Sequence, residues 1–325
     1  MSLPSLSVLV HQMRLEAPHI VSLELRPLPG GPALPAATAG AHIDLQLAPG
    51  LVRSYSLVYP GQAGAYTVAV LKDRASRGGS RQVHEQLRVG QTLQIGAPRN
   101  HFTLHEDAPR SVLIAGGIGI TPIYAMLQRL AELGRPAHLI YAARSAREAA
   151  YVAEIEALLA RSPQLSVHWH WDDVQGGPPD LQALLAGTRA DTHLYACGPA
   201  PLLQAYEQAC AQLGLPLVHL ERFAALAPAP SAAGAAAQGC TVELRKSGKT
   251  VQVPADANLL DTLLAAGCAM SYSCHEGVCG ACETRVLEGE VEHLDSILTA
   301  DEQRANKSLM PCVSRPRSAR LVLDA

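Results

Sequence analysis

The chain has 325 residues, 48% of them hydrophobic, which is too long for one ordinary core and predicts two or three globular domains. A formal net charge of −3 supplies no broad basic field and argues against nucleic acid as a partner. The opening "MSLPSLSVLVHQMRLE" lacks the basic start and long apolar run of a secretory leader, so the expected setting is the reducing cytosol, where the eight cysteines are thiols or metal ligands.

The first segment, residues 1–107, reads as short strands. "AHIDLQL", Ala41 to Leu47, alternates apolar and polar side chains, the period of a half-buried strand. "VRSYSLVY", "AYTVAVLK" and "QTLQIGAP" continue it with Gly and Pro between, which predicts a small antiparallel β-barrel. Within it "RSYS" sets Arg53, Ser54, Tyr55 and Ser56 on one extended run. Such a run can hold a phosphate, cover a flat ring and hydrogen-bond its edge; an alternating strand with Tyr55 in the core explains it as well. "SRGGS", Ser76 to Ser80, is a glycine turn with a basic residue. It suits a phosphate or an ordinary loop.

The texture changes over residues 108–225. "SVLIAGG", "HLIYAAR", "LSVHWHW" and "THLYACGP" are apolar runs separated by helical patterns, which predicts a doubly wound α/β domain with a mostly parallel sheet. The uncharged stretch Ser111–Gln128 is long enough for a membrane span, but Gly-Gly-Ile-Gly and Thr-Pro divide it into a strand, a turn and a helix start, so none is expected. "AGGIGITP", Ala115 to Pro122, predicts a helix opened by Thr121 as cap with Pro122 at the first helical position, its amino end turned to a nucleotide phosphate. It is not the G-x-G-x-x-G fingerprint. In the helix itself Ile123, Met126, Leu127, Leu130 and Leu133 share one face and Gly134 ends it. "YACGP", Tyr195 to Pro199, closes a later strand on the same carboxyl edge, where such folds bind ligands. His168–Trp169–His170–Trp171 reads as strand alternation rather than a metal site.

Residues 226–238, within the small, proline-dotted run Phe223–Gly239, are expected to be a linker. The last segment, 239–325, begins with a hairpin, "CTVELRKSGKTVQV", and a short helix, "ADANLLDTLLAAG". Then comes "CHEGVCGAC". Cys274, Cys279 and Cys282 have the spacing C-x4-C-x2-C, with Cys312 far downstream, the plant-type [2Fe–2S] pattern. Two irons need four thiolates from different directions; a tight loop supplies three and a distant segment the fourth. Gly277 and Gly280 let the loop curl and aim amides at the sulfurs. Zinc is the rival, but zinc sites usually come as two close pairs. Cys197, Cys210, Cys240 and Cys268 read as buried hydrophobes, and His275 and Glu276 as solvated.

"RSYSL", "RGGS", "PRNHF", "AGGIGITP", "YACGP", "ERF" and the four cysteines, in this order over essentially the whole chain, resemble the ferredoxin–NADP reductase superfamily. Within it the chain resembles the phthalate dioxygenase reductase and vanillate demethylase reductase family. That resemblance implies an FMN-binding barrel, a nucleotide domain and a C-terminal β-grasp ferredoxin domain. It implies that Arg53, Tyr55 and Ser56 meet the flavin, with Ser54 between them, that the backbone of Val70, Leu71 and Lys72 contacts its ring, and that Arg77, Gly78, Gly79 and Ser80 hold its phosphate. Gly116, Gly117, Gly119, Thr121 and Pro122 would meet the pyridine nucleotide, with Cys197, Gly198 and Pro199 beside the nicotinamide and Phe223 stacked on the flavin. The family usually uses NADH, although Arg144, Ser145 and Arg147 follow the second strand where an acidic residue would mark NADH, so the chemistry permits NADPH. The implied function is a monomeric reductase passing electrons from NADH through FMN and a [2Fe–2S] cluster to a separate Rieske oxygenase, an aromatic-ring dioxygenase or O-demethylase. A stand-alone flavin or quinone reductase and an electron carrier with a structural metal are the alternatives.

Overall fold

The computed structural model describes residues 5–74, 76, 78–224 and 239–325. The expected linker, 226–238, lies outside them, as does Arg77. The chain divides into two compact units, Ser5–Arg222 and the residues from Phe223 onward. The barrel and the parallel sheet belong to the same unit.

Six strands build the barrel: β1 (Ser5–Ala17), β2 (Ile20–Pro27), β3 (His42–Ala48), β4 (Leu51–Ser56), β5 (Tyr66–Leu71) and β6 (Thr92–Gly96). Their order is β4-β3-β6-β1-β2-β5, with every neighbouring pair antiparallel. A bridge from Leu57 to Val68 brings the end of β4 onto β5 and closes the ring. Alternation explains the closure: Val8, Val10, Leu23, Leu25, Ile43, Leu45, Val68 and Ile95 all face one interior and are buried there. A short helix, α1 (Gly79–Glu85), follows the glycine turn.

The second sheet is parallel throughout: β7 (Ser111–Gly116), β8 (Ala137–Ala143), β9 (Leu165–Trp171), β10 (His193–Cys197) and β11 (Val218–Glu221), in the order β11-β10-β7-β8-β9. Between them run α2 (Ile120–Glu132), α3 (Val152–Ala160), α4 (Asp172–Gln175), α5 (Leu181–Leu185) and α6 (Ala200–Leu213). One apolar layer joins α2 and α3 to the sheet and another joins α5 and α6, so the sheet is covered on both faces. The strand order reverses between β7 and β10, a switch point that leaves a crevice beyond their carboxyl ends.

Two details of α2 differ from expectation. The helix begins at Ile120, after a 3₁₀ turn over Gly117–Gly119, with Gly119 at the cap and no side chain capping it. Thr121 therefore lies inside the first turn and donates its hydroxyl to the Ile118 carbonyl (3.0 Å), and Pro122 is the third helical residue. Ile123, Met126, Leu127 and Leu130 are buried as the stripe requires, whereas Leu133, at the C-terminal cap, is 36% exposed. Gly134 ends the helix at φ 65°, and the Arg135 amide returns to the Leu130 carbonyl. Trp169 and Trp171 share one face of β9 and pack on Tyr141. Among the described residues no helix is long and apolar enough to cross a membrane.

The second unit holds β12 (Cys240–Leu244), β13 (Lys249–Val253), α7 (Leu259–Ala265), β14 (Thr284–Glu288), β15 (Val291–Glu292), α8 (Ala300–Ala305), β16 (Ser308–Leu309), β17 (Arg315–Pro316) and β18 (Arg320–Leu323). The main sheet runs β13-β12-β18-β14-β16, with only β12 and β18 parallel. The Asn258 side chain caps α7 by accepting the Asp261 amide, and Leu259, Leu260 and Leu263 pack on Val242, Leu244, Leu321 and Leu323. A helix laid across a mixed sheet leaves residues 268–283 as a long connection, and the cysteine loop lies on it.

Candidate redox and nucleotide sites

Cys279, Cys282 and Cys312 are buried, Cys274 is half-buried, and all four are free thiols. Cys282 Sγ lies 3.3 Å from Cys312 Sγ, and Cys274 hydrogen-bonds both Cys279 and Cys312. The distant fourth cysteine thus meets the other three. It is held from behind: the Asn258 side chain donates to the Cys312 carbonyl (2.7 Å), and the Leu260 amide to the Pro311 carbonyl (3.0 Å). The cap of α7 therefore fixes the site as well as the helix.

The loop curls because His275, Gly277 and Gly280 take left-handed φ values of 58°, 67° and 67°. At Gly277 a Cβ would come within 2.6 Å of Val313 and 3.1 Å of the Asp295 backbone, so a side chain there has no room. The curl turns amides inward: Glu276 donates to Cys274 Sγ (3.3 Å), Val278 and Cys279 do the same, and Ala281 donates to Cys279. Hydrogen bonds from Cys279 and Cys312 hold the Cys274 thiol well below the ordinary cysteine range, and Cys312 lowers Cys282 likewise, while both donors are pushed up. Four convergent sulfurs, with amide donors aimed at them, fit an iron–sulfur cluster. Cys268 is buried in the apolar core of this unit, and His275 packs edge-on against Tyr272.

At the switch point of the first unit the glycines have a cause the sequence does not display. A Cβ on Gly119 would lie 2.1 Å from the Cys197 carbonyl oxygen, one on Gly116 would meet Leu202 at 2.6 Å and Pro199 at 2.7 Å, and one on Gly198 would lie 3.1 Å from Gly116. The turns after β7 and β10 cross in contact, and glycine is what lets them. Gly117 differs: its φ is 53° and the space beside it is open. Arg144 follows β8 and is exposed, and its carbonyl accepts the Asp173 amide.

Glu221, absent from the expected site, lies here too. It pairs in register with Cys197, and the Ser56 hydroxyl donates to its carboxylate (3.3 Å). Burial pushes its carboxyl up to about 8, opposed by that hydrogen bond, and burial with the nearby Glu221 also raises the Cys197 thiol. The cluster Ser56–Glu221–Cys197 joins the barrel to the nucleotide sheet. Its only sequence signal was the run "ERF".

On the barrel, Arg53 and the glycine turn meet: a Cβ on Gly79 would lie 2.5 Å from Arg53 Cγ. Gly78 adopts φ 101°, its amide donates to Ser76 Oγ, and Ser80 Oγ accepts the Asp73 amide. Tyr55 rests half-buried on the barrel core, with its hydroxyl pushed up to about 12 by burial. Ser54 turns the other way and donates to Asp44 (2.6 Å), which pairs with Arg99. At the end of β5 the Val70 carbonyl contacts His84 (2.9 Å), the Lys72 amide donates to His19, and the Leu71 side chain is exposed. Phe223 is 42% exposed and belongs to the second unit.

A closed antiparallel barrel, a parallel nucleotide-type sheet and a mixed-sheet unit with four convergent cysteines define an iron–sulfur reductase of the ferredoxin–NADP reductase type. Residues 113–208 match the model of the oxidoreductase NAD-binding domain, and residues 242–317 that of the 2Fe-2S iron-sulfur cluster binding domain. The chain is 46% identical over 321 residues to a putative toluene-4-sulfonate monooxygenase system reductase subunit of Comamonas testosteroni, covering 98% of each. It is 45% identical to a vanillate O-demethylase oxidoreductase of Pseudomonas sp. (strain HR199 / DSM 7063), covering 98% of this chain and 99% of the relative. It is 46% identical to the tetrachlorobenzoquinone reductase of Sphingobium chlorophenolicum, covering 98% of each. Among solved structures, phthalate dioxygenase reductase, described as modular for electron transfer from pyridine nucleotides to [2Fe–2S], matches with a TM-score of 0.69 and 31% identity over 99% of this chain and 98% of that one. The chain belongs to this family of iron–sulfur oxygenase reductases.

Proposed function

We propose that the chain takes electrons from NADH, passes them through bound FMN to a [2Fe–2S] cluster held by Cys274, Cys279, Cys282 and Cys312, and delivers them to a separate oxygenase. Bound there, FMN would supply two-electron chemistry toward the nicotinamide and one-electron chemistry toward the cluster. The observation that carries the reading is the return of Cys312 to the loop of Cys274, Cys279 and Cys282, with backbone amides turned onto the sulfurs.

The remaining roles belong to this chain's own groups. Arg53, with Arg77, Gly78, Gly79 and Ser80, would bind the flavin phosphate; Arg53 already lies against Gly79. Ser54 would brace that strand through Asp44, while Tyr55 and Ser56 would meet the flavin. Val70, Leu71 and Lys72 would border its ring. Gly116, Gly117, Gly119, Thr121 and Pro122 would shape the nucleotide crevice, with the open side of Gly117 nearest the phosphates. Cys197, Gly198 and Pro199 would flank the nicotinamide, Phe223 would cover the flavin, and Arg144 would meet the adenosine end. Glu221, with its carboxyl near 8, can hold or release a proton beside Ser56 and Cys197 at neutral pH. We further propose a cytosolic monomer serving an oxygenase of aromatic compounds.

Purification tests this reading. The chain should be red-brown and carry one FMN and one [2Fe–2S] per chain by flavin extraction and by iron and sulfide analysis. Zinc in place of iron rejects it, and FAD in place of FMN rejects the assignment of the flavin.

A further inference from the structure

Three histidines far apart in sequence meet at the amino-terminal edge of the parallel sheet. His193 opens β10, His219 lies in the neighbouring β11, and His105 is in the connection from the barrel to β7. One ring nitrogen from each lies within 4.8 Å of the other two. His193 Nδ1 and His219 Nε2 are 3.0 Å apart, and the His105 ring centroid is 4.5 and 5.0 Å from those of His193 and His219. The geometry points to a binding site for one divalent d-block cation, of the zinc class, coordinated by His105, His193 and His219.

The arrangement is better suited to a metal than to packing. A hydrogen bond accounts for the His193 and His219 nitrogens facing each other, but not for a His105 nitrogen brought within 4.8 Å of both. A tetrahedral ion with metal–nitrogen bonds of 2.0–2.1 Å sets its ligand nitrogens roughly 3.3 Å apart. The His193–His219 pair is already near that separation. The widest separation must close by at most about 1.5 Å, and His105, whose side chain is exposed on a loop, has the freedom to do it.

The supporting contacts are fixed. The Tyr195 hydroxyl accepts the His105 amide (2.9 Å), the Tyr195 ring stacks on His219 at 4.6 Å, and the Arg110 carbonyl accepts the His193 amide. Imidazole is a ligand preferred by zinc, copper and nickel over magnesium and calcium. The acidic neighbours of His105 are engaged elsewhere, Glu106 with Arg129 (2.8 Å) and Asp107 with Arg135 (3.7 Å). The fourth position is therefore left to water, on the exposed side of His105.

This site is not the redox site. His193 opens the strand that Cys197 ends, and four residues of strand place them about 13 Å apart. A cation here would tie the barrel-to-sheet connection to β10 and β11, stabilising the unit without touching the nucleotide crevice.

The test is calorimetric titration of the cofactor-loaded chain with zinc alone, the visible spectrum being recorded throughout to verify that the cluster remains. One zinc should bind per chain and raise the melting temperature. His105→Ala should weaken it by about a hundredfold or more, since even loss of an outer-shell partner costs roughly ten- to a hundredfold. His219→Gln should do the same. His138→Ala, at a histidine paired with Ser166 on the same sheet, should leave affinity unchanged. Absence of zinc binding overturns the proposal. Binding that survives both His105→Ala and His219→Gln also overturns it.

Discussion

Replacing Glu221 by glutamine removes a carboxyl that the fold makes hard to ionise. Burial raises it from 4.5 to about 8, and the Ser56 hydroxyl offsets only part of that. Below pH 4.5 the group is protonated in folded and unfolded chains alike and its contribution is fully favourable. As pH rises from there toward 8, the unfolded chain releases the proton while the folded chain keeps it, so native stability falls. At about 1.4 kcal/mol per pKa unit the whole loss approaches about 5 kcal/mol, of which about 3 kcal/mol is reached by pH 7. Glu221→Gln can still accept the Ser56 hydroxyl but has no proton to lose. Wild type and variant should therefore match near pH 4.5, and the variant should be more stable by at least about 2 kcal/mol at pH 8.5. Urea unfolding followed by tryptophan fluorescence reads this directly, because both tryptophans, Trp169 and Trp171, lie on β9 of the unit that holds Glu221. Parallel stability–pH curves for the two proteins would refute the reasoning.

Two further substitutions probe the crevice. Gly119→Ala forces a methyl onto the Cys197 carbonyl and should destabilise the first unit by about 3 kcal/mol or more, whereas Gly117→Ala meets no protein atom and should cost the fold only the left-handed backbone, about 1–2 kcal/mol; both should raise KM for NADH. Equal losses of stability in urea unfolding would mean that the crossing of the two turns does not constrain Gly119. Arg144 is exposed, and without a bound 2′-phosphate its loss should change kcat/KM little, with a modest preference for NADH. A charge-assisted contact to phosphate contributes about 1.5–3 kcal/mol, so a clear preference for NADPH that Arg144→Ala abolishes would reverse the nucleotide assignment.

What was legible in the sequence was whatever spacing alone encodes. The loop between Cys274, Cys279 and Cys282 is short enough to hold those three together, and the alternating strands give the barrel for the same local reason, whereas Cys312 reaches them only through the return of the chain. The start of α2 was misread because Thr-Pro is a sound local signal for a cap, while the glycines before it answer to Cys197, Gly198 and Pro199 far along the chain. Glu221 was missed for a related cause. Its raised carboxyl exists only once β11 lies beside β10 and Ser56 arrives from the barrel. Ser54 sits between two expected flavin contacts, but the pleat sends it to Asp44. The three histidines carry no spacing signal, since the topology alone brings 105, 193 and 219 together.

The account turns on electrons passing from NADH to the four-cysteine site. The direct measurement is the low-temperature electron paramagnetic resonance spectrum of the chain after anaerobic addition of NADH. Wild type should show the signal of a reduced [2Fe–2S] centre. Cys279→Ser should lose that signal yet still reduce ferricyanide with NADH at a near-normal rate, because the nucleotide crevice and Cys279 lie in different units. A wild-type spectrum without that signal, or a Cys279→Ser protein that has lost ferricyanide reduction as well, would contradict it.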